Sequence, residues 1–132
     1  MIIDFEEFKS IKTLLRKFPT ENKCIEHLEA LRWNGVIISP FNKESKVYRC
    51  SNHRFKCSKT NKYFNVRNGT IFENTKMSLQ KWFMAIYLVL SPKKLSSHQL
   101  AKDLNVSQKT GWLVLNRIRY AVSHKNFKKA MK

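Results

Sequence analysis

The sequence predicts a mainly helical α+β fold on two observations. Apolar residues recur at three- and four-residue spacing in both terminal stretches, and a central stretch breaks into short β-prone pieces between turn residues. With 42% hydrophobic residues in 132, the chain suits one small globular domain or two very small ones. Three regions are expected: 1–35 helical, 36–75 a small antiparallel β module, and 76–132 helical, with a helix-turn-helix over about 96–124.

The first helix is expected over Asp4 to Phe18, where Phe5, Phe8, Ile11, Leu14, Leu15 and Phe18 share a face and the acidic first turn suits the helix dipole; Pro19 ends it. Thr20 is an N-cap candidate for a second helix. Its stripe is Cys24, Ile25, Leu28, Leu31 and Trp33, and Asn34-Gly35 stops it. The β-prone pieces are Val36–Ser39, Lys46–Arg49, Arg54–Cys57 and Tyr63–Arg67. So short a module buries little core alone and needs a metal or a neighbouring helix. Ser78 can cap a strongly buried helix through Leu79, Trp82, Phe83, Ile86, Tyr87, Val89 and Leu90, ending before Pro92. Ser96 or Ser97 can cap a short helix to Leu104, Asn105-Val106-Ser107 turns, and Ser107 can cap a last helix to about His124. Leu100, Ala101, Trp112, Leu115, Ile118 and Val122 are the expected packing residues of this pair.

Charge points to the partner. Residues 1–33 hold six bases and six acids, so the whole +17 falls on residues 34–132, whose only acids are Glu44, Glu73 and Asp103. Self-repulsion of this size calls for a polyanion. Around the last helix, Gln108, Lys109, Thr110, Leu113, Asn116, Arg117 and Tyr120 lie off the expected apolar stripe and form a groove-facing surface. Gln and Asn can bond adenine, Lys and Arg can bond guanine, and the helix N-terminus offers N–H groups to phosphate. Base reading is therefore expected of Gln108, Lys109, Thr110, Asn116 and Arg117. Phosphate contacts are expected of Lys93, Lys94, Lys102, Arg119, Lys125 and Lys128. A helical hairpin with a solvated basic face is the alternative. Tyr48, Phe55, Tyr63 and Phe64 interleave with basic residues in the β module, a pattern that can stack single-stranded bases or simply build the buried face of a sheet.

Other chemistry finds little footing. Cys50-x2-His53-x3-Cys57, with Cys24 or His27 as a distant fourth ligand, is an incomplete zinc set, and small buried cysteines are the simpler reading; no metal or other cofactor is expected. Carboxylates do not cluster in the basic region, as two-metal phosphoryl transfer requires, and Asp103 is expected to pair with a nearby lysine. No histidine has a Ser or Cys at a diagnostic spacing, so the chain is read as non-enzymatic. Three cysteines make no complete disulfide framework, the first residues lack signal-peptide character, and no apolar run approaches the roughly 20 residues of a membrane span. An intracellular, cytoplasmic protein is expected.

Several separated motifs agree with one family. Phe18-Pro19-Thr20, Leu31-Arg32-Trp33-Asn34-Gly35-Val36, the run from Asn65 to Lys76, Lys81-Trp82-Phe83, Gln99-Leu100-Ala101, Val106-Ser107-Gln108-Lys109-Thr110 and Arg117-Ile118-Arg119 resemble the N-terminal part of IS1595-type insertion-sequence transposases, over about residues 18–120. The resemblance implies a helical lead-in, a zinc ribbon and a helix-turn-helix that binds DNA ends, ahead of a catalytic domain. The family's ligand positions fall on Ser39, Asn42, Cys57 and Thr60, so three of its four thiolates are replaced. This implies a degenerate, metal-free ribbon held by packing of Phe41, Tyr48, Phe55, Tyr63 and Phe64. The chain ends where the catalytic domain would start, which implies duplex-DNA binding without chemistry, as a regulator or accessory binder in a host or phage. The rival expectation is a protein-binding inhibitor or virion component that reuses the basic surface, or a surface for self-association.

Overall fold

The computed structural model describes residues 8–91 and 93–123. In chain order these form α1 (Ile11–Lys17), α2 (Glu21–Trp33), β1 (Val47–Arg49), β2 (Phe55–Cys57), β3 (Tyr63–Phe64), α3 (Leu79–Leu90), α4 (Ser97–Leu104) and α5 (Gln108–Val122). Five helices and one small antiparallel sheet give the mainly helical α+β class that the periodicity predicts. Two compact units divide the described residues: 22–76 form one, and 8–21 with 77–91 and 93–123 form the other. Among the described residues no helix is long and apolar enough to cross a membrane.

In the helical unit, α1 packs on α3, and α3, α4 and α5 pack on one another. The first helix is shorter than its apolar periodicity suggests. Ser10 is extended (φ −160°) and its hydroxyl accepts the Thr13 N–H at 3.2 Å, so α1 starts at Ile11 and residues 8–10 lie outside it; positions 4–7 lie outside the described residues. Leu14 and Phe18 are buried, and the Phe18 ring meets Phe83 edge-on at 5.0 Å. Leu79, Trp82, Phe83, Ala85 and Ile86 give α3 its buried face. The N-terminus of α3 is satisfied group by group. Glu21 accepts the Leu79 and Gln80 N–H groups at 2.8 and 3.0 Å, and the Ser78 hydroxyl accepts that of Lys81 at 3.2 Å. A carboxylate on orphan N–H groups at the positive end of a helix is a charge-assisted cap.

In the other unit, the sheet order is β1-β2-β3, with Tyr48 opposite Lys56 and Lys56 opposite Tyr63 on one face, and Arg49, Phe55 and Phe64 aligned on the other. The β1–β2 connection puts Asn52 and His53 both at φ 58°, the mark of a tight hairpin turn. Val36–Ser39 is not a strand: Val36 and Ile38 are exposed, while Ser39 is buried with its hydroxyl accepting the N–H groups of Phe41 and Asn42. An inward serine that satisfies its own turn competes with sheet pairing. The core of this unit is built around Trp33, whose ring meets Phe55 at 5.4 Å and Phe64 at 6.0 Å, both edge-on. Tyr48 and Tyr63 are about half exposed, which corrects the expectation that all five aromatics pack together; Phe41 still meets Phe64 edge-on at 6.2 Å, and Trp33 completes the cluster.

The Asn65–Lys76 run is a self-bonded loop. Asn68 Oδ1 accepts the Asn65 N–H at 2.7 Å, Asn65 Oδ1 accepts the Arg67 N–H at 2.9 Å, and Glu73 accepts from the Gly69 N–H at 3.2 Å. Arg32 donates to the Val66 carbonyl at 2.8 Å from beneath it. Gly69, at φ 80°, leaves only 3.1 Å between a would-be Cβ and the Arg32 guanidinium. The loop's polar residues are thereby explained as structural.

Candidate nucleic-acid interface

Both ends of α4 and the start of α5 have a local cause. Ser96, extended, accepts the Gln99 N–H at 3.2 Å and starts α4. Asn105, left-handed at φ 55° and ψ 52°, ends it while the Val106 N–H reaches back to the Ala101 carbonyl at 3.0 Å, the Schellman closure that satisfies carbonyls at a helix end. Ser107 then accepts the Thr110 N–H at 3.2 Å and opens α5. Gln108 Nε2 donates to Ser97 Oγ at 3.1 Å, tying the first turns of the two helices together.

The rotation of α5 about its axis is set by Gly111. A Cβ there would lie 2.6 Å from the Ala101 Cβ and 2.9 Å from the Ser97 carbonyl oxygen, so α4 and α5 approach closely at this point. The buried positions of α5 are therefore Gly111, Val114, Leu115, Ile118 and Ala121. Trp112, assigned by its spacing to the core, is 59% exposed. The stripe is rotated by less than one residue's worth of helix from the one expected, keeping Leu115 and Ile118 but replacing Trp112 by Gly111, because a helix bearing Trp at the contact could not come so close.

Of the expected site residues, Lys93, Lys94, Lys102, Gln108, Lys109, Asn116 and Arg119 are exposed, and Thr110 and Arg117 are partly buried; Lys125 and Lys128 lie outside the described residues. Lys109, Asn116 and Tyr120 fall on the outward face of α5, joined by Trp112. Several of the expected site residues are already bonded in the free protein: Gln108 to Ser97, Thr110 Oγ1 to the Ser107 hydroxyl, Asn116 Nδ2 to the Trp112 carbonyl at 2.8 Å, and Arg119 to the Leu95 carbonyl at 3.1 Å. Asp103 accepts from Gln99 Nε2 at 2.7 Å instead of pairing with a lysine. Residues 93–123 hold six Lys and Arg against this one acid, a field that attracts polyanions.

The cysteine positions do not converge. The Cys50 thiol lies 3.7 Å from the Tyr48 carbonyl, His53 Nε2 is 3.1 Å from Asn22 Oδ1, and the buried Cys57 thiol donates to Ser45 Oγ at 3.2 Å. Among the described residues no three His, Cys, Asp or Glu side chains gather as metal ligands. Three of the family-implied ligand positions, Ser39, Cys57 and Thr60, do meet through hydrogen bonds at the Cys57 sulfur. One thiol among hydroxyls is not a zinc donor set, so these residues do not fit a structural zinc.

Burial pushes the Cys57 thiol up, but hydrogen bonding with the Ser39, Ser45 and Thr60 side chains and the Thr60 backbone outweighs it and brings the thiol from 9.0 down to about 6. A group whose folded pKa is depressed stabilises the fold above its unfolded pKa and loses that contribution as pH falls through the folded value. Thermal stability should thus rise between about pH 6 and pH 9, and Cys57→Ser should remove that rise in melts followed by circular dichroism. A profile shared by wild type and variant would refute the assignment.

No protein-family model matches the chain, and no solved structure does. It is similar to an uncharacterized protein in the transposable element ISH50 of Halobacterium salinarum, with 28% identity over 112 residues, or 82% of this chain. The matched region spans 38% of that protein. The similarity is to a mobile-element protein, in accord with the motifs quoted above.

Proposed function

We propose that the protein binds duplex DNA through α4 and α5, acting as a helix-turn-helix without chemistry of its own, as a regulator or accessory factor related to mobile-element proteins. The observation that carries this reading is the pairing of two capped helices across a three-residue turn, closed at Gly111 and Ala101, with the basic and amide side chains of α5 turned outward. In this reading Lys109 and Thr110 enter the groove from the first turn of α5, with Gln108, Asn116 and Arg117 beside them. Lys93, Lys94, Lys102, Arg119, Lys125 and Lys128 contact phosphates. The hydrogen-bonded cluster at Cys57 supports a degenerate ribbon in which hydroxyls do the work of the family's metal.

The exposed Trp112 also suits a groove, since an apolar ring can meet the thymine methyl. Its exposure together with Tyr120, 70% exposed on the same helix, favours a second reading in which this face docks a protein partner or another copy. A stoichiometric partner that survives nuclease treatment would decide for the second.

The test is site selection from a random duplex library followed by Lys109→Ala and Arg117→Ala. Each should cost about 1–3 kcal/mol on the selected site and relax preference at one base position. Unchanged preference in both variants would refute their base-reading roles.

A further inference from the structure

The solvent face of the sheet carries a row that neither the core nor the proposed duplex interface uses. The register places Tyr48, Lys56 and Tyr63 side by side across β1, β2 and β3. Tyr48 is 55% and Tyr63 50% exposed, while the aromatics of the opposite face, Phe55 and Phe64, are buried with Trp33. Burial therefore explains the phenylalanines and leaves the tyrosines outside the core. Two cations lie over Tyr63: the Arg54 guanidinium 4.7 Å from its ring centre and the Lys56 ammonium 5.6 Å. Residues 45–72 contain seven Lys and Arg and no Asp or Glu.

With neighbouring strands about 4.8 Å apart, the two tyrosines stand about 10 Å from each other with Lys56 between them. That is too far to share one base and suits two bases splayed apart, with a phosphate over the lysine. Exposed rings on a sheet flanked by cations form a platform on which unpaired bases stack. Bases inside a duplex are already stacked on their neighbours and offer no face to such rings.

We infer that this face binds single-stranded DNA, with unpaired bases stacked on Tyr48 and Tyr63, the intervening phosphate neutralised by Lys56, and Arg54 extending the platform beside Tyr63. The choice of DNA over RNA rests on the proposed function; the stacking geometry does not.

The experiment is fluorescence anisotropy of the full chain with labelled oligo(dU), oligo(rU) and a duplex of the same length, about 12 nucleotides, between roughly 0.05 and 0.2 M salt. Tyr48→Ala and Tyr63→Ala should each weaken oligo(dU) binding about 5-fold or more at every salt concentration. The salt slope should stay unchanged, because a ring releases no counterions. Tyr48→Phe and Tyr63→Phe should bind as wild type. Lys56→Gln should instead flatten the slope by about 0.7. Duplex affinity should be insensitive to the tyrosine variants. Wild-type oligo(dU) affinity in the Tyr48→Ala/Tyr63→Ala variant, equal losses in the Phe and Ala variants, or tighter binding of oligo(rU) would overturn the inference. Failure of the duplex reading is separate: there Lys109→Ala and Arg117→Ala leave duplex binding unchanged while the tyrosine variants still weaken oligo(dU).

Discussion

Gly111→Val should destabilise the helical unit by about 3 kcal/mol, at the upper end of what overpacking costs, and weaken duplex binding with it. In isolation the substitution would favour the helix, since glycine is a poor helix former by about 1 kcal/mol. The tertiary contact reverses the sign. Even the first added carbon would sit 2.6 Å from the Ala101 Cβ, 2.9 Å from the Ser97 carbonyl oxygen and 3.0 Å from the Ala101 Cα, so α4 must move off α5. That movement disturbs the Gln108 to Ser97 hydrogen bond and the first turn of α5, which carries Lys109 and Thr110. Thermal melts followed by circular dichroism measure the loss. A double-mutant cycle locates its cause: Gly111→Ala alone should destabilise, and Ala101→Gly beside it should recover part of the loss, because one of the close approaches is then gone. Strict additivity would mean that the Cβ–Cβ approach is not what excludes a side chain there.

Trp33→Ala should cost about 3–5 kcal/mol, the range for truncating a large buried aromatic. Trp33 is 7% exposed and closes the sheet's inner face against Phe55 and Phe64, and the Arg32 guanidinium lies 4.9 Å from its ring centre. The sheet has two- and three-residue strands that cannot stand alone, so its pairing depends on this ring. Near-ultraviolet circular dichroism should lose the Trp33 part of its aromatic signal, and amide exchange in Phe55–Cys57 should accelerate. Protection in that strand equal to wild type would show that the hydrogen-bonded cluster at Cys57 holds the sheet by itself.

Much of this architecture was legible in the residues. The capping serines at 78, 96 and 107, the Asn105 turn and the Asn34-Gly35 stop all act where local chemistry puts them, because a cap depends on its own few neighbours. What could not be read depends on distant partners. Leu115 and Ile118 belong both to a stripe containing Trp112 and to one containing Gly111, and only the contact with Ala101 selects the second. The signal was available in principle, since Gly111, Val114 and Ala121 are the small residues that a close helix pair needs. Likewise Val36–Ser39 has strand composition, but its serine turns inward to a cluster formed with residues 45, 57 and 60. The start of α1 lies later than the apolar periodicity predicts, because that periodicity continues through Ser10 while the Ser10 hydroxyl begins the helix. For the candidate interface, the basic character of the C-terminal half was plain in the composition; that Asn116 and Arg119 are already bonded to backbone carbonyls was not.

The central claim, that the α4–α5 face binds duplex DNA, is tested most directly by anisotropy of the whole protein with a random 30-base-pair duplex across salt concentrations. If six side chains neutralise phosphates, affinity should be high at about 0.05 M salt and fall about 10³-fold by 0.2 M. Weak binding at the lowest salt, or a nearly flat slope, would contradict the account and turn attention to a protein partner for the Trp112 and Tyr120 face.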